Sequence, residues 1–224
     1  MNRSVATLVA LLTSLAVAAG FGAIAVAKKP PGPHPGKNSI SIVAKPSPIT
    51  FGGATTVSGA LNSLNKAGVT LTLQQSPYPF SGFSKLTTAV TSSSGKYAFA
   101  GLRPTVNTKY RVTGPTGLNS TDVAVFVRKR VTLGVSDSTP ARGQRVRFSG
   151  KIYPTHVGMV VSIQRLTSSG YRTVARTAST ANTTTRSAFS VKVRVRSDGR
   201  YRARVAADAN HAAGNSRSRL LTVH

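Results

Sequence analysis

Gly68-Val69-Thr70-Leu71-Thr72-Leu73-Gln74 returns ninety residues later as Gly158-Met159-Val160-Val161-Ser162-Ile163-Gln164. In both stretches apolar and polar residues alternate. Successive side chains of a strand point to opposite faces, so each stretch buries one face and wets the other. Working outward, Val57-Ser58-Gly59 matches Phe148-Ser149-Gly150, Ala98-Phe99 matches Ala188-Phe189, and Tyr110-Arg111 matches Tyr201-Arg202, all at nearly the same offset. Four matches in one order at one spacing mark an internal duplication, with halves at 38–127 and 128–224. Each half is the size of a small domain with its own core, and far longer than a solenoid unit.

The period of two continues through both halves. Val191, Val193 and Val195 alternate with Lys192, Arg194 and Arg196; Tyr201, Ala203 and Val205 alternate with Arg200, Arg202 and Arg204. Turn residues punctuate the strands at Ser94-Gly95, Pro115-Thr116-Gly117, Ser169-Gly170 and Ser197-Asp198-Gly199. No long stretch after Ala27 has the 3.6-residue period of a capped helix. The expected class is therefore all-β, as two tandem antiparallel β-sandwiches. The segment Val127-Arg128-Lys129-Arg130-Val131 lacks Pro and Gly, which predicts a short join with limited bending rather than a loose tether.

Each half resembles the immunoglobulin-like or fibronectin-III-like domains of bacterial secreted and cell-surface proteins. The residues carrying the resemblance are Val57-Ser58-Gly59 or Phe148-Ser149-Gly150, the alternating strand ending in Gln, and Tyr97-Ala98-Phe99 ahead of Thr108-Lys109-Tyr110-Arg111-Val112. The Cys…Trp…Cys set of antibody domains is missing. The resemblance implies a tyrosine corner, with Tyr110 and Tyr201 bonding back to the backbone at the start of strand F. Ser94-Gly95-Lys96-Tyr97-Ala98-Phe99 also resembles carboxypeptidase-regulatory-like modules.

Thirty Lys and Arg against four Asp and no Glu give a formal charge of +26, although only 15% of residues are charged. The scarcity of acids excludes paired-carboxylate glycoside hydrolysis and oxygen-rich calcium sites. The absence of Cys excludes thiol nucleophiles, disulfides and cysteine-ligated zinc. His34, His156, His211 and His224 show no metal spacing, so no metal, cofactor or catalytic residue is expected. Asp208-Ala209-Asn210-His211 reads as turn chemistry rather than a catalytic dyad.

Residues 1–27 read as a signal-peptide helix: a basic start, an apolar stretch from Val5, and small residues at Ala25 and Ala27. A retained membrane anchor is the competing reading. Residues 28–37 form a basic Pro-rich linker. The expected location is secreted or on the cell surface.

The charge is unevenly divided. Residues 38–127 hold seven Lys and Arg against Asp122, whereas 128–224 hold nineteen against Asp137, Asp198 and Asp208. Lys192, Arg194 and Arg196 share one strand face, Arg200, Arg202 and Arg204 another, and Arg145 and Arg147 add to one sheet. A hairpin through Ser197-Asp198-Gly199 would crowd six cations on one surface, whereas strands in opposite sheets would make two stripes. The arginine fork suits phosphate and carboxylate, so an anionic envelope polymer or acidic glycan is the expected partner. Stacking aromatics are not interleaved with these arginines, since Tyr201 should point inward, and this disfavours sequence-specific nucleic-acid binding. Phe83 and Phe80, in Tyr78-Pro79-Phe80-Ser81-Gly82-Phe83, are expected to turn inward and cap the first core. The functional expectation is an exported, non-catalytic adhesion or scaffolding protein. Its alternative is a structural spacer in which the arginines only solvate the strands.

Overall fold

The computed structural model describes residues 38–224. The signal-peptide and linker expectations for 1–37 lie outside the described residues. The chain is all-β, with antiparallel sheets and no α-helix among the described residues. Among the described residues no helix is long and apolar enough to cross a membrane.

In the first half, Thr55–Asn62 lies between Val43–Lys45 and Lys96–Leu102, with Ser39–Ile40 at its far end. A second sheet runs Ser84–Val90, Thr70–Pro77, Thr108–Thr113, Val123–Val125. Val57, Leu61, Tyr97 and Phe99 from the first sheet meet Leu71, Leu73, Tyr110, Val112 and Val125 from the second in one buried cluster. The second half repeats the plan. Arg145–Tyr153 pairs with Arg186–Arg194, and the facing sheet is built on Val160–Thr167 and Gly199–Val205. Val146, Phe148, Ile152, Phe189 and Val193 pack there against Val161, Ile163, Tyr201, Ala203 and Val205. Every one of these is an apolar member of an alternating stretch, so the period of two is what assembles both cores.

The Ser-Gly motif has a steric cause. A Cβ on Gly59 would collide with the Ser41 carbonyl and come within 2.7 Å of the Tyr97 hydroxyl. On Gly150 it would collide with the Thr132 carbonyl and come within 2.6 Å of the Phe189 ring. In both halves an edge segment thus crosses the backbone too closely for any side chain.

The join is hydrogen-bonded on both sides. Ile49–Thr50 runs parallel to Val127–Arg128. The Val127 amide donates to Asn107 Oδ1 at 2.9 Å, and the Ala212 amide to the Val127 carbonyl at 2.8 Å. The Lys129 amide donates to the Ala212 carbonyl at 3.1 Å, and the Asn107 amide to the Asn210 carbonyl at 2.8 Å. A segment with its backbone groups paired on two sides bends only by breaking those bonds.

Candidate functional site

Two places concentrate chemistry: the outer face of one sheet in the second half, and the joint between the halves. On the sheet, Arg145 stands opposite Arg194 and Arg147 opposite Lys192. All four are exposed, while Val146, Phe148 and Val193 between them are buried. Lys151 lies farther along the same face of Arg145–Tyr153, followed by Tyr153. The Arg130 guanidinium sits over the Tyr153 ring, 4.0 Å from its centroid, and Arg186 Nη1 donates to the Tyr153 hydroxyl at 3.4 Å. The Arg186 hydrogen bond, reinforced by the charges of Arg186, Lys151 and Arg130, holds the Tyr153 hydroxyl below its ordinary pKa. None of these cations is paired with a carboxylate among the described residues.

The two arginine rows part company. Lys192 and Arg194 end their strand on one sheet, and Arg196, also exposed, follows it. Arg200, Arg202 and Arg204 lie on Gly199–Val205 in the facing sheet, so two stripes form instead of one hairpin surface. Within the second stripe Arg200 and Arg204 are exposed, but Arg202 is half-buried. Its Nε donates to Gln164 Oε1 at 2.9 Å, and its guanidinium stacks 3.6 Å from the Tyr171 ring centroid. Arg202 is therefore stapled across the sheet, its planar face and one donor already engaged.

The same staple occurs in the first half. Arg111 Nε donates to Gln74 Oε1 at 3.3 Å and lies 4.0 Å from the Phe83 ring centroid. Phe80 sits under Lys109, whose Nζ is 5.0 Å from the ring centroid, and it is 36% exposed. Phe80 and Phe83 thus do not cap the core: both join cations outside it, which satisfies their ring faces without burial. Aromatics are likewise interleaved with cations in the second half, through Tyr153 at the end of Arg145–Tyr153 and Tyr171 two strands from Arg202, rather than through Tyr201. Neither expected tyrosine corner forms. The hydroxyls of Tyr110 and Tyr201 make no hydrogen bond among the described residues, whereas Tyr97 donates to the Ser41 carbonyl at 2.6 Å. Burial pushes the Tyr97 and Tyr110 hydroxyls up to about 12.

At the joint, Asp208 collects three basic groups. Lys129 Nζ, completely buried, lies 2.9 Å from Oδ2 and also donates to the Ala206 carbonyl at 3.0 Å. His156 Nε2 lies 2.9 Å from Oδ2, and His211 Nδ1 lies 3.7 Å from Oδ1. The Asn210 and His211 amides donate to Oδ1 at 3.1 and 2.7 Å, the turn chemistry read from this stretch. His211 Nε2 meets the Thr105 carbonyl of the first half at 2.8 Å, and its ring packs 6.3 Å from Phe51. Burial works to raise the Asp208 pKa, but the Lys129 ammonium, the His211 amide and the nearby charges outweigh it and hold the group low. Burial, opposed by the Thr105 carbonyl and by Asp208, keeps the His211 pKa below its ordinary value. The donor atoms of His156, Asp208 and His211 all lie within 4.8 Å of one another, a spacing that suits a metal ion. Sequence reading missed this convergence, because His156 lies on a different loop from the other two.

No protein-family model matches the chain. No curated protein matches it. Among solved structures, the crystal structure of a tetra-tandem repeat in the extending region of a large adhesion protein is similar over 83% of this chain, at 13% identity and a TM-score of 0.36. The chain spans about half of that structure, 49% of its length. At that identity and score the likeness carries no weight for function.

Proposed function

We propose that this is an exported, non-catalytic surface protein of two immunoglobulin-like sandwiches, the second of which holds an anionic polymer. The observation carrying this reading is the paired like charge of Arg145 with Arg194 and Arg147 with Lys192. Like charges directly opposite on a sheet destabilise it. A polyanion laid along the strands would turn that repulsion into attraction, with Lys151 extending the track and Arg196 at its end. Arg200 and Arg204 form a lesser stripe on the facing sheet. The apolar segment ending at Ala25 and Ala27 supports export. The test is retention on immobilised poly(glycerol phosphate) over a salt series. Retention should fall steeply with salt, as counterion release requires. It should be lost at low salt when Arg145, Arg147, Lys192 and Arg194 all become Ser, and unchanged retention in that variant would overturn the reading.

A spacer reading has its own observation. The Gln-Arg-aromatic staple serves the sheet in both halves, so one arginine of the rows, Arg202, is explained without any ligand. Retention no greater than that of the excised first half would favour the spacer.

A further inference from the structure

His156, Asp208 and His211 have no part in polymer binding, and their geometry is specific. His156 Nδ1 meets the Pro154 carbonyl at 3.0 Å, and His211 Nε2 meets the Thr105 carbonyl at 2.8 Å. A carbonyl only accepts, so each of these ring nitrogens carries the hydrogen. That leaves His156 Nε2 and His211 Nδ1 turned toward the same carboxylate. Imidazoles that bind metal are held in this way, with the second N–H donated to a carbonyl or carboxylate that sets tautomer and ring orientation. His211 Nδ1 is moreover buried without any hydrogen-bond partner, on a side chain only 3% exposed. A lone pair facing a carboxylate across 3.7 Å repels it, and a cation between the two reverses the sign.

We propose that His156, Asp208 and His211 bind a single transition-metal dication, zinc by preference, which fastens the loop carrying His156 to the loop of Asp208 and His211 that meets the first half. Two imidazoles and one carboxylate without thiolates suit zinc and its neighbours in the series, and are too nitrogen-rich for calcium or magnesium. A tetrahedral ion with bonds of about 2.0–2.2 Å holds its ligand atoms roughly 3.4 Å apart. Taking one ligand atom from each of His156, Asp208 and His211, all three lie within 4.8 Å of one another, close enough to draw in around an ion of that size. Lys129 keeps hold of the carboxylate from the protein side, as an outer partner of a ligating group does, and its charge lowers affinity below that of an acid-rich site. The fourth position is left to water, which reaches Asp208 through the 26% of its side chain that is exposed. The Thr105 carbonyl comes from the first half, so the orientation of His211 depends on the two halves being seated together. This site stands apart from the polymer reading.

The test is calorimetric titration of the full chain with Zn2+, alongside visible spectra with Co2+. One ion should bind per chain, and Co2+ should give the intense d–d bands of a four-coordinate site. His156→Gln changes a partly exposed ligand whose loss leaves both cores untouched; with its far-UV spectrum unchanged, it should weaken Zn2+ binding by about tenfold or more. Absence of one-to-one binding, a six-coordinate Co2+ spectrum, or equal affinity in His156→Gln would each overturn the proposal.

Discussion

The two halves are built from the same parts and differ in what those parts carry. Both place a glycine at the close crossing, Gly59 and Gly150. Both have a β-bulge at the same repeat position, between Leu73 and Gln74 and between Ile163 and Gln164. In each, a serine hydroxyl accepts from a core-strand amide: Ser120 from Val112 and Ser216 from Ala203, both at 2.9 Å. Yet where the first half has Thr56 and Ala60 on its outer face, the second has Arg147 and Lys151 at the corresponding repeat positions. Lys66 likewise gives way to His156, although the carbonyl of each still accepts from a hydroxyl, Thr91 Oγ1 in one case and Ser179 Oγ in the other. The lesson is that the charge and the joint cluster are additions to a scaffold that stands without them.

The largest effect belongs to the shared scaffold. Gly59→Ala and Gly150→Ala each force a methyl group into a backbone carbonyl, and each should cost about 3 kcal/mol or more in urea unfolding. If Gly150→Ala is tolerated while Gly59→Ala is not, the two crossings are not equivalent and the comparison breaks. Next comes a change with no counterpart in the first half. Lys129→Met removes the buried ammonium from Asp208. Breaking a fully buried pair costs about 3–5 kcal/mol, and the partial exposure of Asp208 reduces this to about 2 kcal/mol. Adding Asp208→Asn should recover most of the loss. A cost below about 0.5 kcal/mol would make the pair an ordinary surface contact.

What could be read from the sequence tracks what is local. The strands, the duplication and the outward placement of Arg145, Arg147, Lys192 and Arg194 follow from a period of two, which needs no knowledge of neighbours. The opposition of Arg145 to Arg194 required a register, and the split of the two arginine rows between sheets required a strand order. Neither is encoded within a single strand. Phe80 and Phe83 were misread because apolar character implies burial only until a cation offers the ring another partner, as Lys109 and Arg111 do. The back-bonding tyrosine was misplaced for a different reason: Tyr97 and Tyr110 are both buried, and only the path of the Ser41 backbone selects between them. Lys129, His156 and Asp208 meet only once the join and two loops have converged, so no spacing in the chain announces them.

Smaller effects separate scaffold from addition more finely. Arg111→Ala and Arg202→Ala each remove one stacked guanidinium and one side-chain hydrogen bond. Each should cost about 1 kcal/mol, with the two values alike, and thermal or urea unfolding of both variants measures this. A clearly larger cost at Arg202 would mean that the staple does more in the cationic half than in its counterpart. If Arg202→Ala instead kept its stability and lost polyanion retention, the residue would belong with the binding surface after all.

The smallest effect has the opposite sign and isolates the cationic face. Arg145 and Arg147 face Arg194 and Lys192 without a carboxylate in reach, so shortening one side should relieve repulsion rather than remove a favourable contact. The double variant Arg145→Thr/Arg147→Thr also places β-branched residues on an exposed strand face, where they fit well. At low ionic strength it should therefore be more stable than the parent by about 0.5 kcal/mol. The gain should shrink as salt rises, because a Debye length of about 10 Å at 0.1 M and about 3 Å at 1 M progressively screens the repulsion in the parent. The mirror experiment introduces arginine at Thr56 and Ala60 of the first half, which should lose a similar amount at low salt and regain it at high salt. Both are read as urea midpoints across a salt series. A destabilised double variant, or a gain that does not change with salt, would mean that the second half relies on its cations for folding. The charge would then be part of the scaffold and not something mounted on it.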